Sequence, residues 1–288
     1  MRPHPVRFLL LSFFLNSLML ANSASALNVL TDGLLEKLDV ANWQSDDQQE
    51  WSSQLKSVID QHRTAVLAQH SPDAIQAMTI KGRYLTKDNA YAFTVLKMRP
   101  HYFRLDLETP DGVMIQAYDG DRGWFVPVGA DPQTGAKWMD RQANAGMARD
   151  ALILDYMLES ESEPASFSMI NASNNTSGEI GIEVKLSNGS VINYWLDPET
   201  YLTTREIKTD YEDGGFKFRT VRLSDYQDID GIKLAHKAQH YLSGELESEL
   251  IIEEIDLVDS HSPILFAAPI LETPHTSPLT PSPELLND

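Results

Sequence analysis

The chain has 288 residues, 42% of them hydrophobic, a formal net charge of −19 and no cysteine. Its length and apolar content are ample for one domain with a sizeable core and short for two. The acidic balance argues against nucleic acid and against adhesion to anionic membranes by charge alone, and the missing cysteine excludes disulfides, thiolate metal sites, cysteine nucleophiles and a lipid-modified N-terminal cysteine.

The N-terminus reads as an address. Arg2 and Arg7 give a positive n-region, Phe8 to Leu20 is an apolar run broken only by Ser12, Asn16 and Ser17, and Ala24-Ser25-Ala26 fits the small-x-small cleavage rule. Residues 1–26 are therefore expected to be a cleaved signal peptide. The run is short for a span, and no later one is long enough, so the mature chain is expected to carry no transmembrane segment. A secreted chain without cysteine fits a bacterial periplasm.

Leu30, Leu34, Leu35 and Leu38 have helical spacing. Ser45-Asp46-Asp47 forms an N-cap cluster ahead of Trp51, Leu55, Val58, Ile59, His62 and Val66, which recur at three and four residues. That pattern predicts an amphipathic helix over Asp46–Gln69. No second ligand type is spaced with His62, so it reads as a partly buried interface histidine. A strand begins at Met78–Tyr84. Tyr91 to Val128 reads as three or four strands: Phe103, Leu105 and Leu107 point one way, Arg104, Asp106 and Glu108 the other. Pro100 lacks a backbone donor and belongs at a strand start or sheet edge. Asp111-Gly112 and Asp119-Gly120 are hairpin turns, and Trp124 should pack its ring on the sheet.

Gly146 to Glu159 is expected to be helical, with Met147, Ala151, Leu154 and Leu158 in one stripe. Asn171 to Gly178 is a polar loop; its N-x-S/T sequons at Asn171, Asn174 and Asn175, like that at Asn188, read as plain surface sequence. Glu179 to Val258 reads as antiparallel β, with turns at Asn188-Gly189, Asp197-Pro198, Asp230-Gly231 and Ser243-Gly244. Val191 to Leu196 is apolar on both faces except Asn193, so it should be a central strand covered on each side. Strands at such intervals predict one large antiparallel sheet or open barrel. The Pro-, Ser- and Thr-rich stretch 270–288 should be a disordered tail.

Catalytic signals are weak. His236 and His240 form H-x-x-x-H, but on a strand four residues separate the rings by roughly 13 Å, too far to share a metal. Asp197 and Glu199 flank a proline and mark a solvated turn. No G-x-S-x-G, P-loop or dinucleotide fingerprint occurs. The expectation is a protein that is not an enzyme and needs no cofactor or metal. What remains is shape: a broad sheet with one face to cover and only two helices to cover it. Either an apolar groove is left, suited to acyl chains at roughly 0.8 kcal/mol per buried CH₂, or the face is packed solid.

Arg99-Pro100, Phe103, Asp119-Gly120, Trp124 and Pro127 resemble, in order and spacing, the RP…F…DG…W…P signature of the LolA/LolB-like family of periplasmic outer-membrane lipoprotein-sorting proteins. The stretches Tyr194–Leu202 and Asp225–His236 and a terminal Phe266 and Pro269 look like the broader set of LolA-like homologues, and the resemblance covers Gln54 to Pro269. It implies an α+β, mainly β fold: an unclosed antiparallel β-barrel of about eleven strands with helices lidding its concave face, one domain over 27–269. It also implies a carrier of lipid or lipidated protein that holds acyl chains in a groove. Arg99 matches an arginine that, in the carrier, contacts the lid and helps govern uptake and release; read from the residues alone, it is a strand-edge arginine paired with a nearby carboxylate. Phe103, Leu105 and Leu107, then Phe93 and Val95, are candidates to line the groove on parity. Extra length, acidity and the tail leave the cargo open. The alternatives are a sensor or adaptor for an envelope partner protein, which predicts an exposed apolar patch, and more remotely a hydrolase.

Overall fold

A computed structural model of the chain describes residues 45–159, 165–170, 178–187, 189–212 and 215–269. The expected signal peptide, the leucine-spaced segment near residue 30, the asparagines of the sequons and the tail 270–288 lie outside the described residues. Among the described residues two α-helices, α1 (Ser45–Leu67) and α2 (Arg141–Asp150), accompany thirteen strands. The first six are β1 (Ala77–Leu85), β2 (Ala90–Met98), β3 (Tyr102–Thr109), β4 (Gly112–Asp119), β5 (Gly123–Val126) and β6 (Lys137–Trp138). The rest are β7 (Ala165–Met169), β8 (Ile180–Leu186), β9 (Val191–Leu196), β10 (Thr203–Glu212), β11 (Gly215–Ile229), β12 (Ile232–Leu242) and β13 (Glu245–Val258). Among the described residues no helix is long and apolar enough to cross a membrane.

The strands form one antiparallel sheet in the order β6-β5-β4-β3-β2-β1-β13-β12-β11-β10-β9-β8-β7. This is two meanders joined by a single pairing, β1 with β13. Every other neighbour pair is consecutive in sequence, which is why the local turn signals were informative. At Asp230-Gly231 both residues have positive φ, as a two-residue hairpin with the sheet's own twist requires. Bulges bend the sheet: β1 shifts register at Lys81/Gly82, where a Cβ on Gly82 would overlap the Ile251 carbonyl oxygen. The sheet is unclosed, as expected, with thirteen strands where the resemblance implied about eleven.

The two edges, β6 and β7, are consecutive in sequence, so the chain between them has to recross the concave side. It does so as α2 and then residues 151–159. The sequence pattern placed a helix over Gly146–Glu159; the structure begins it earlier and ends it at Asp150. Asp140 caps α2 by accepting from the Ala143 N–H (2.8 Å). Beyond Asp150 the Asp155 carboxylate accepts from the N–H groups of Met157 (2.9 Å) and Leu158 (3.2 Å), a local turn that competes with helix. Every residue from Ala151 to Glu159 except Asp155 is buried, so a helical stripe could not be told from a run buried on all sides.

Opposed residues on neighbouring strands share a face. Phe93 opposes Leu107, Val95 opposes Leu105 and Lys97 opposes Phe103, all toward the concave side, where α2 covers the β3 residues with Met147 and Ala143. α1 packs Val58 against Leu152, Tyr156 and Ile192, and Val66 and Leu67 against Ile153, Leu154 and Met78. The convex side of β1–β5 has its own cover. After β13 the chain turns back and buries Phe266 against Ala77 and Met98, with the Tyr102 ring 5.2 Å away. Trp124 packs on this face, as expected from the sequence, and its indole N–H donates to the Phe266 carbonyl (2.8 Å).

Candidate functional site

Beside α2 the concave side is hollow. A cavity of about 330 Å³ lies between residues 149–158 above and the strands β2, β1, β13, β12, β11, β10 and β9 below, with His62 and Val66 of α1 at one end. Phe93, Val95, Ile80, Leu250 and Ile252 give it an apolar floor. The five parity candidates thus divide. All face the concave side, and Phe93 and Val95 line the cavity. Phe103, Leu105 and Leu107 are 0–1% exposed and packed beneath α2 with Met139 and Met147.

Arg99, at the end of β2, faces the roof rather than the hollow. Its guanidinium pairs bidentately with Glu159 (3.2 and 3.4 Å) and donates to the carbonyls of Ile75 (2.8 Å) and Pro72 (3.0 Å). The Glu159 carboxylate also accepts from the Leu154 N–H (2.7 Å). Arg99 is thus paired with a carboxylate, one that directly follows the segment roofing the cavity.

No family model and no curated protein matches the chain. Solved structures do match. A domain from Vibrio parahaemolyticus assigned as an outer membrane lipoprotein-sorting protein superposes with a TM-score of 0.51 at 11% identity, over 75% of this chain and 97% of that one. A DUF1329 family protein from Desulfovibrio piger gives 0.50 at 13% identity over 74% and 97%. A LolA superfamily protein from Nitrosomonas europaea gives 0.49 at 13% identity, with the same coverage. The chain shares the fold of these structures. At these identities the likeness is one of architecture, and it agrees with the sequence resemblance at that level.

Within this fold His62 ties three elements together. From α1 its Nδ1 meets the Tyr201 carbonyl in the β9–β10 turn (2.7 Å), and its Nε2 meets Asp155 in the roof (3.0 Å). Both partners are acceptors, so the doubly protonated ring satisfies both. Burial pulls the imidazolium down, but the Asp155 charge and hydrogen bond and the Tyr201 carbonyl outweigh it, and the net shift is upward from 6.5. A group whose folded pKa is raised contributes stability that is complete below its unfolded pKa and lost as pH rises through the folded one. The urea midpoint of the wild type should therefore fall, relative to His62→Asn, as pH rises from about 6 to about 8. A gap between the two proteins that does not change over that range would refute the assignment.

The sequence did not reveal the charged lining. Lys97, Arg149, Asp150, Asp155, Glu206, Lys208 and Lys233 all border the cavity. Lys97 was findable, since it continues the parity of Phe93 and Val95. Glu206 and Lys208 were not, because β10 turns them inward and Ile207 outward; only register, Glu206 opposite Tyr194 and Val221, places them. Of the other candidates, His236 and His240 both stand buried on β12, where four extended residues keep them roughly 13 Å apart. Asp197 accepts from the Glu199 and Thr200 N–H groups, as a turn residue does. The exposed large apolar side chains among the described residues, Val113, Leu246, Ile264 and Leu265, stand on three different elements.

Proposed function

We propose that the protein binds the acyl chain of a lipid or lipidated protein, non-covalently and without a cofactor, in the cavity beneath residues 149–158. The carrying observation is that cavity, apolar along β2, β1 and β13 and roofed by the chain that links the two sheet edges. The assigned role of the Vibrio parahaemolyticus domain supports the same reading. The signal-like N-terminus supports a periplasmic location, with 27–269 as the working domain. Phe93 and Val95 are the floor contacts. Phe103, Leu105 and Leu107 reach ligand only where α2 shifts, and Arg99 acts on exchange through Glu159.

Size restricts the occupant. An engineered cavity of about 150 Å³ takes benzene, so about 330 Å³ holds roughly a dozen heavy atoms: one chain, not several. The roof does not swing free. Detaching it would expose Leu152, Ile153, Leu154, Tyr156, Met157 and Leu158 at roughly 1.5–3 kcal/mol each, comparable to the roughly 5–15 kcal/mol that holds a domain folded. Exchange therefore proceeds by local parting of roof from wall.

A fluorescent acyl probe tests the reading. The wild type should bind it and release it to a competing fatty alcohol. Val95→Trp, which fills the floor, should weaken binding by about tenfold or more, about 1.4 kcal/mol, while the circular dichroism spectrum is kept. A folded wild type with no affinity for acyl probes, and no lipid on native mass spectrometry after periplasmic expression, would overturn it.

A further inference from the structure

We propose that the ligand of this cavity is a single-chain amphiphile with an uncharged, hydroxyl-bearing head, received where Thr203, Tyr226 and Tyr194 border the hollow. The inference rests on the acyl-chain reading above and names the other end of the same ligand.

The first argument is placement. Phe93, Val95, Ile80, Leu250 and Ile252 make the lining apolar along β2, β1 and β13. Tyr194 on β9, Thr203 on β10 and Tyr226 on β11 bring hydroxyl groups to the same hollow from the other arm of the sheet. The Tyr226 hydroxyl donates to the Thr203 carbonyl (2.7 Å), so phenol and threonine stand side by side. A chain lying along β2 and β13 therefore carries its head toward hydroxyl groups.

The second argument is charge. Every charged side chain at the hollow already has a partner or water. Asp155 holds His62 (3.0 Å), Glu206 lies 3.7 Å from Lys208, Asp150 lies 3.8 Å from Arg149, and Lys97 donates to the Leu152 carbonyl (2.7 Å). Lys233 is exposed. A charged head would enter with no countercharge waiting for it. Burying an unpaired charge costs far more than burying a hydroxyl that finds a partner.

The third argument is an unmet hydroxyl. Thr203 is 3% exposed and lines the cavity, and its Oγ1 has no hydrogen-bond partner in the protein. A buried hydroxyl left in that state is costly, and folded proteins satisfy the large majority of such groups. Beside it, Tyr226 spends its proton on the Thr203 carbonyl and keeps lone pairs to accept. Burial holds the Tyr194 and Tyr226 phenols well above the usual tyrosine value, so both stay neutral. An alcohol head both donates and accepts, and so matches Thr203 and Tyr226 together. A carboxylate offers no donor, and a quaternary ammonium offers neither donor nor acceptor.

Displacement of the fluorescent acyl probe by 1,2-decanediol, 1-chlorodecane, decanoate and decyltrimethylammonium tests both ends separately. The diol should bind about tenfold tighter than either ion, or better. Thr203→Val and Tyr194→Phe should each weaken the diol about fivefold, the worth of one net hydrogen bond between neutral groups, and leave 1-chlorodecane within about twofold. Thr203→Val should also melt no lower than the wild type, because it removes a hydroxyl that the ligand-free protein leaves unsatisfied. Either ion binding as tightly as the diol, variants that leave the diol unchanged or weaken it no more than 1-chlorodecane, or a lower melting temperature for Thr203→Val would overturn the head-group assignment while leaving the acyl reading standing. Failure of the probe and all four compounds to bind would overturn the acyl reading, and this inference with it.

Discussion

Replacing Arg99 by alanine should lower the unfolding free energy by about 3–5 kcal/mol, the usual cost of stranding one member of a buried ion pair. Glu159 is the reason. Its side chain is 2% exposed and held by the Arg99 guanidinium and the Leu154 N–H. Without Arg99 it either stays as a buried carboxylate that has lost its guanidinium or drags the end of the roof into water. The loss corresponds to a fall in melting temperature of roughly 10 °C for a domain of this size. Hydrogen exchange at residues 151–159 should quicken more than exchange in β3 and β4, because the guanidinium also pins the α1–β1 link through the Ile75 and Pro72 carbonyls. A second change, Glu159→Gln in the Arg99→Ala background, removes the stranded charge and keeps an acceptor for Leu154, so it should restore part of the lost stability. If the double variant is no better than the single one, the pair is not what holds the roof down.

Phe266→Ala should be nearly as costly, about 3–5 kcal/mol, from lost transfer energy plus the cavity left behind. The ring is fully buried, and it closes the convex core with Ala77, Met98 and Tyr102. The backbone around it is anchored at several points: Trp124 donates to the Phe266 carbonyl, Arg104 to the Leu265 carbonyl (2.7 Å), and His261 to the Met78 carbonyl (3.0 Å). Ile264→Ala, two residues away and 77% exposed, should change stability by no more than about 0.5 kcal/mol. The denaturant midpoint should drop for Phe266→Ala at unchanged slope. A drop of the same size for Ile264→Ala would mean that the segment acts through its backbone and not through the ring.

Much of the sheet could be read from the residues because its topology is local. Meander strands joined by short turns announce themselves through Asp-Gly and Ser-Gly pairs, and Phe93, Val95, Phe103, Leu105 and Leu107 could be assigned to one face by parity. Parity does not say what stands over a face. That α2 plugs the β3 residues and leaves the β2 residues open depends on where the β6–β7 crossing begins, and its start was hidden. Residues 141–146, Arg-Gln-Ala-Asn-Ala-Gly, have no apolar stripe, so only the Asp140 cap marks the helix. The charged lining was harder still. In β10 the aliphatic Ile207 faces away from the hollow while Glu206 and Lys208 face into it, the reverse of what hydropathy suggests, because long-range pairing set the register. The β1–β13 pairing, on which the single sheet depends, leaves no local mark either.

The crossing has a mechanical corollary. The strip over the hollow is strung between the opposite margins of a curved sheet, like a drawstring through the two ends of a cuff. The position of the roof is therefore tied to the spacing of those margins, since the same stretch of chain runs from one to the other.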